Sequence, residues 1–200
     1  MPTTPTDLRK QFIKVFADLA RHRERHEVLA DFLEMATCAI RKKTLPAGPE
    51  ADAIEARYMA VVGRNKVEDV RAMPQLLGIT ALAVQEGGCD FLGQVVVELE
   101  LPSQHMGQFF TPYDVSRMIA EMTFDTADEI IAEQGFVTVL EPACGAGGMI
   151  VAAADAIEAK GFDIGRHVYV DATDISVACF KMSYLQASLR GIPAVIQRGN

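Results

Sequence analysis

The residues best suited to chemistry in this 200-residue chain are Glu141-Pro142-Ala143-Cys144-Gly145-Ala146-Gly147-Gly148. They follow a short apolar run, Phe136-Val137-Thr138-Val139-Leu140, and lead into an apolar helical pattern that Gly161 closes. In a doubly wound sheet, ligands sit at the carboxyl ends of strands. Glycines there let the backbone approach a ligand, and the following helix offers free N–H groups to an anion. The dinucleotide fingerprint G-x-G-x-x-G is not met, because position 150 is Ile, and no Gly-Lys-Ser/Thr serves a nucleoside triphosphate. Glu141 stands just ahead of the glycines. A carboxylate there repels a pyrophosphate but suits a ligand with both an ammonium and a carboxylate, such as the methionine part of S-adenosylmethionine.

Two further groups extend this site. After the second apolar run, His167-Val168-Tyr169-Val170-Asp171-Ala172-Thr173, come Asp174 and Ile175. Asp174 is an acceptor for ribose hydroxyls, or a helix cap, and Ile175 is an apolar platform for adenine. Asp171 is a poorer substitute because the pattern puts it inside the strand. Upstream, Gly107-Gln108-Phe109-Phe110-Thr111-Pro112 forms an aromatic turn. Thr111 suits a helix N-cap and Pro112 the first helical turn, so this turn also favours an anion.

The elements that must hold these residues follow from periodicity. Beyond Gln104 the pattern alternates: a helix with Val115, Met118, Ile119 and Met122 as its buried stripe, a strand, a helix from Gly147 to Lys160, a second strand, a helix from Ser176 to Arg190, and a third strand beginning Ala194-Val195-Ile196-Gln197. That order predicts a parallel sheet with right-handed crossovers. Earlier residues read as helices: Leu8, Phe12, Val15, Phe16 and Leu19 share one face, and so do Val28, Leu29, Phe32 and Leu33. Residues 21–27 between them are polar, either a solvated helical stretch or a break. Leu45-Pro46-Ala47-Gly48-Pro49 is a breaker, and Ile54, Tyr58, Val61 and Val62 suggest the next helix. The helix that follows has Pro74 as a candidate bend, and Asp90 caps a last one holding Phe91, Leu92, Val95 and Val96. The expected organisation is α/β: a helical N-terminal domain over residues 1–103, then a partial domain with a parallel sheet over residues 104–200.

Taken together, Gly107-Gln108-Phe109-Phe110-Thr111-Pro112, the glycine loop with Leu140, and Asp174-Ile175-Ser176 resemble the adenine-N6 DNA methylases. The likeness is greatest to modification subunits of type I restriction-modification systems and related plasmid or phage methylases. The resemblance implies a Rossmann-like, S-adenosylmethionine-dependent methyltransferase domain. It implies that Phe109, Phe110 and Thr111 meet the methionine carboxylate and that Glu141 binds the ammonium. Ala143, Gly145 and Gly147 line the cofactor through backbone, Asp174 holds the ribose, and Ile175 packs on adenine. The family has an acidic residue shortly after the third strand, where Gly199-Asn200 stands here. Its catalytic motif, (N/D/S)-P-P-(Y/F/W), holds a flipped base, and this sequence has no Pro-Pro pair. The expectation is therefore the cofactor-binding portion of an enzyme that transfers a methyl group to adenine in DNA within a restriction-modification-like system, without turnover by these 200 residues alone. The alternative is a truncated, catalytically inactive module acting in binding, regulation or assembly.

Bulk properties set the context. The net charge is −8. Basic residues cluster before Lys43 among acids and are sparse after Glu98, so the chain is expected to bind DNA weakly, and basic surface for DNA must come from other regions or a partner such as a specificity or restriction subunit. The four cysteines, Cys38, Cys89, Cys144 and Cys179, form no C-x-x-C pair, which argues against a metal site or disulfide framework. Cys144 is expected to pack. No segment reads as a membrane span or signal peptide, and the default is a cytoplasmic protein. His22 and His26 lack the H-E-x-x-H spacing, His105 reads as loop surface, and Arg21, Arg23 and Arg25 read as a solvated helix face or a contact for DNA or a partner.

Overall fold

The computed structural model describes residues 4–101 and 110–199, which form two compact units, Met1–Ala83 and Val84–Asn200. The first unit is helical: α1 (Pro5–Leu19), a single 3-10 turn (Ala20–His22), α2 (Arg25–Thr44), α3 (Pro49–Arg64) and most of α4 (Val67–Gln85), which runs through Pro74 without interruption. Thr4 and Asp7 form a capping box that starts α1. The predicted stripe is buried at Leu8, Phe12, Phe16 and Leu19, with Phe12 edge-on to Phe32 of α2.

The polar stretch 21–27 is a break, with Arg23 extended between the 3-10 turn and α2. It is not simply solvated. Arg23 donates to Asp31 at 2.7 Å and reaches Asn65, while Arg64 and Asn65 also donate to Asp31. Asp31 is buried on α2, and a buried carboxylate demands such partners. Burial pushes this carboxyl up, but hydrogen bonds from Arg64, Arg23 and Asn65 outweigh that and hold it below the usual value.

The second unit opens with α5 (Phe91–Glu98), capped by Asp90 as expected. Then follow α6 (Tyr113–Thr123), α7 (Ala127–Gln134), β1 (Val137–Glu141), α8 (Gly148–Ala159), the short α9 (Ile164–His167), β2 (Val168–Asp174), α10 (Val177–Arg190) and β3 (Ala194–Arg198). Among the described residues the strands form one parallel sheet in the order β1-β2-β3, with Val137 beside Val168 and Val170 beside Ala194. Helices α8 and α10 pack on it and on each other. Ile150, Ala154, Ile157, Val168, Val170 and Ala172 fill the core between them. The alternate residues Thr138, Leu140, Tyr169 and Val195 are exposed, as the period of two along a strand requires when one face is covered.

Two local expectations are corrected. The stripe Val115, Met118, Ile119 and Met122 on α6 is exposed, and the buried positions are Tyr113, Ser116 and Ala120. The helix packs against α8 through the small side of its surface, where Ala120 meets Val151, Ala152 and Ala156. Close approach of two helices favours small residues there, and apolarity alone does not decide which face turns inward. The second correction concerns the N-cap of α6. It is Pro112, not Thr111: Pro112 is extended (φ −54°, ψ 137°) and its carbonyl accepts from Val115 and Ser116. The helix begins one residue later than the Thr-Pro pattern suggests, and Thr111 is left exposed with no capping bond.

Candidate cofactor site

Parallel pairing brings the carboxyl ends of β1 and β2 side by side. Glu141 ends β1 opposite Ala172, and Asp174 ends β2 opposite Arg198. The glycine loop springs from Glu141. Its carboxylate Oε1 accepts from Ala143 N–H at 3.1 Å, and Cys144 N–H donates to the Thr173 carbonyl at 3.0 Å, so the loop stays fastened to β2. Gly145 and Gly147 have φ of 55° and 98°, a backbone region that an L side chain occupies only with strain. Gly147 is the N-cap of α8, whose first turn presents unpaired N–H groups.

Asp174 does more than the sequence suggested. It is 5% exposed; Oδ2 accepts from Gly145 N–H at 2.9 Å and Oδ1 from Ser176 N–H at 2.8 Å. It thus locks the glycine loop to the turn after β2. It is not the cap of α10, because Ser176 holds that position and accepts from Cys179 N–H. Ile175, next to it, is 63% exposed and is available as an apolar surface. Asp171 is paired inside β2 and lies away from the strand ends.

Phe110 of the upstream motif meets the loop. A Cβ added to Gly145 would stand 3.3 Å from the Phe110 ring, so the ring lies directly over this glycine. Thr111, in the next position, is exposed. Phe109, with His105, Gly107 and Gln108, lies outside the described residues, and so does Asn200. Among the predicted site residues, Phe110, Glu141, Ala143, Gly145, Gly147 and Asp174 are therefore gathered around one loop, with Ile175 beside them.

The structure adds residues that the sequence motifs did not signal. Tyr113, one residue past Thr111-Pro112, donates its hydroxyl to Asp155 of α8. Asp155 also accepts from Gly88 N–H at 2.7 Å and from Arg190 of α10 at 3.1 Å. This network ties the start of α6 to both helices behind the sheet. Burial, then Asp155, pushes the Tyr113 phenol up, so it stays a donor. Cys144 packs as expected, against Ser183. Burial pushes its thiol up, and pushes that of Cys179 up to about 12, so neither is an activated nucleophile.

A strand-end carboxylate, a glycine loop at a helix N-terminus, a second strand-end acid and an exposed apolar side chain occur in that spatial order. Residues 100–197 match the family model described as N-6 DNA methylase. Over that segment the chain resembles the N-6 DNA methylases. Two solved structures share the fold of this chain. One is described as a class I S-adenosylmethionine-dependent methyltransferase from Listeria monocytogenes, with a TM-score of 0.53 and 13% identity over 96% of this chain and 53% of that one. The other is the methyltransferase subunit of a type I restriction-modification system from Streptococcus thermophilus, with a TM-score of 0.52 and 12% identity over 98% of this chain and 59% of that one. This chain thus spans little more than half the length of these two proteins. Comparison with curated proteins gives no match.

Proposed function

We propose that this chain binds S-adenosylmethionine and forms the cofactor-binding portion of a DNA adenine-N6 methyltransferase in a restriction-modification-like system. The observation that carries the reading is the Phe110 ring over Gly145, which joins the aromatic turn and the glycine loop in one site although 35 positions separate them in the chain. Neither motif alone selects this ligand, and their meeting around Glu141 supports it.

When bound, the cofactor supplies a methyl group activated by the adjacent sulfonium. The chain's own residues bind and orient. Glu141 offers its carboxylate to the ammonium. Phe109, Phe110 and Thr111, with the first amides of α8, receive the carboxylate. Gly145 and Gly147 admit the ligand to the backbone. Asp174 has lone pairs left for ribose hydroxyls after accepting its two backbone bonds, and Ile175 covers one face of adenine. The base-holding residues of the transfer step belong to other segments or to partner subunits, because no Pro-Pro pair occurs in this sequence. DNA and specificity or restriction subunits are the partners in this reading.

Titration calorimetry with S-adenosylmethionine tests it. Binding is expected for the wild type. Glu141→Gln keeps an acceptor for Ala143 N–H but removes the charge, and should weaken binding by about tenfold or more, the worth of a charged hydrogen bond. Absence of wild-type binding would overturn the reading, and unchanged affinity in Glu141→Gln would remove Glu141 from the site.

A further inference from the structure

The glycine loop is held from behind by a buried polar side chain of α10. Gln186 of α10 is fully buried. Its Nε2 donates to Asp90 Oδ1 at 2.7 Å and to the Ala146 carbonyl at 2.8 Å, and its Oε1 accepts from Leu92 N–H at 3.2 Å. Each hydrogen-bonding direction of the carboxamide toward these groups is used, which is what burial of an amide requires. Asp90, also buried, takes a second bond at the same oxygen from Gly93 N–H at 3.0 Å. Its other oxygen lies against the first residue of α8: a Cβ on Gly148 would be 3.0 Å away.

The consequence for the loop is specific. The peptide between Ala146 and Gly147 is clamped at both ends, its carbonyl by Gln186 and its N–H by the Cys144 carbonyl at 2.8 Å. Clamping that plane holds Gly147 at φ 98° and so sets the direction in which the first amides of α8 point. Helix α10 packs closely behind this residue: a Cβ on Gly147 would stand 3.1 Å from the Ser183 backbone.

We infer that Gln186 and Asp90 are positioning residues for the S-adenosylmethionine site, fixing the glycine loop in its binding conformation without touching the ligand. The inference rests on the proposed cofactor reading for its effect on affinity, but its effect on the loop is independent of it. Asp90 acts through one oxygen, so an amide can replace it: Asp90→Asn keeps an acceptor for both Gln186 and Gly93, whereas Asp90→Ala keeps none.

The test uses the full chain, with calorimetry for S-adenosylmethionine and amide hydrogen exchange for the loop. Gln186→Leu should weaken binding by about tenfold. It should also speed exchange at residues 145–149 while β1 to β3 exchange as in the wild type, which a general loss of stability would not do. Asp90→Asn should bind within about threefold of the wild type and Asp90→Ala about tenfold more weakly. Unchanged affinity and unchanged loop exchange in Gln186→Leu would overturn the inference. If Gln186→Leu does not fold, the Asp90 pair decides: equal affinity of the Asn and Ala variants would overturn it. If the wild type does not bind S-adenosylmethionine, the cofactor reading fails, and faster loop exchange in Gln186→Leu would still support the clamp while unchanged exchange would refute it.

Discussion

Asp174 combines two demands at one residue. Its carboxylate organises the backbone of the glycine loop and the turn before α10, and in the proposed function it also receives the ribose. Asp174→Asn leaves one oxygen for two N–H donors, so one half-buried donor loses its partner. This should cost about 1–3 kcal/mol, read as a lower melting temperature as well as weaker S-adenosylmethionine binding. Glu141→Gln should by contrast change binding and leave melting nearly unchanged. Asp31 makes the comparable point for the first unit. Its folded-state carboxyl is held below the usual carboxylate value, so its stabilisation is fully present above that usual value and is lost as pH falls through the lower folded value. Asp31→Asn should reduce stability at neutral pH and flatten the decline below about pH 4, as thermal melts across pH would show. The Asp174 position was legible in the sequence because an acid after an apolar run is a local pattern. Its bond to Gly145 was not, because 29 positions separate the two and only the parallel pairing brings them together.

At the scale of elements, α6 shows where periodicity misleads. Val115, Met118, Ile119 and Met122 have the spacing of a buried stripe, yet they are exposed, Met122 by 73%. Helix α8 brings alanines to the contact, and the face of α6 that fits closest to them is Ser116 and Ala120. Replacing both Met118 and Met122 by Ser should therefore change the stability of this chain by about 0.5 kcal/mol or less. Ala120→Leu should overpack the α6–α8 contact and cost about 1–3 kcal/mol. Denaturant melts of the two variants distinguish these outcomes, and a larger loss in the double Ser variant would reverse the assignment of faces. Elsewhere local signals sufficed. The strands, α8 and α10 form within a residue or two of the pattern, because apolar runs bounded by Gly, Pro and capping Ser leave little choice.

For the molecule as a whole, charge decides what the chain can do by itself. With a net charge of −8 and few basic residues in the second unit, phosphate contacts have little to draw on. Mobility shifts with duplex DNA at physiological salt should show little binding. Tight, sequence-specific binding would contradict the view that the basic surface lies in other segments or partner subunits. Among the described residues no helix is long and apolar enough to cross a membrane.

The kind of site was set by local sequence. An acid before two glycines at a strand end, an acid after the next strand and an aromatic Thr-Pro turn carry their chemistry in residue type and short spacing. The tertiary structure alone decided how that site is held. It laid Phe110 on Gly145, bonded Asp174 to Gly145 N–H, put Asp155 between Tyr113 and Arg190, and set Gln186 against Asp90 and Ala146. These contacts join residues 29 to 96 positions apart in the chain. Side chains that distant in sequence meet only when β1 and β2 pair and α8 and α10 pack behind them. No local pattern records that packing, because the groups that Gln186 meets, Asp90 and Ala146, lie 96 and 40 positions away.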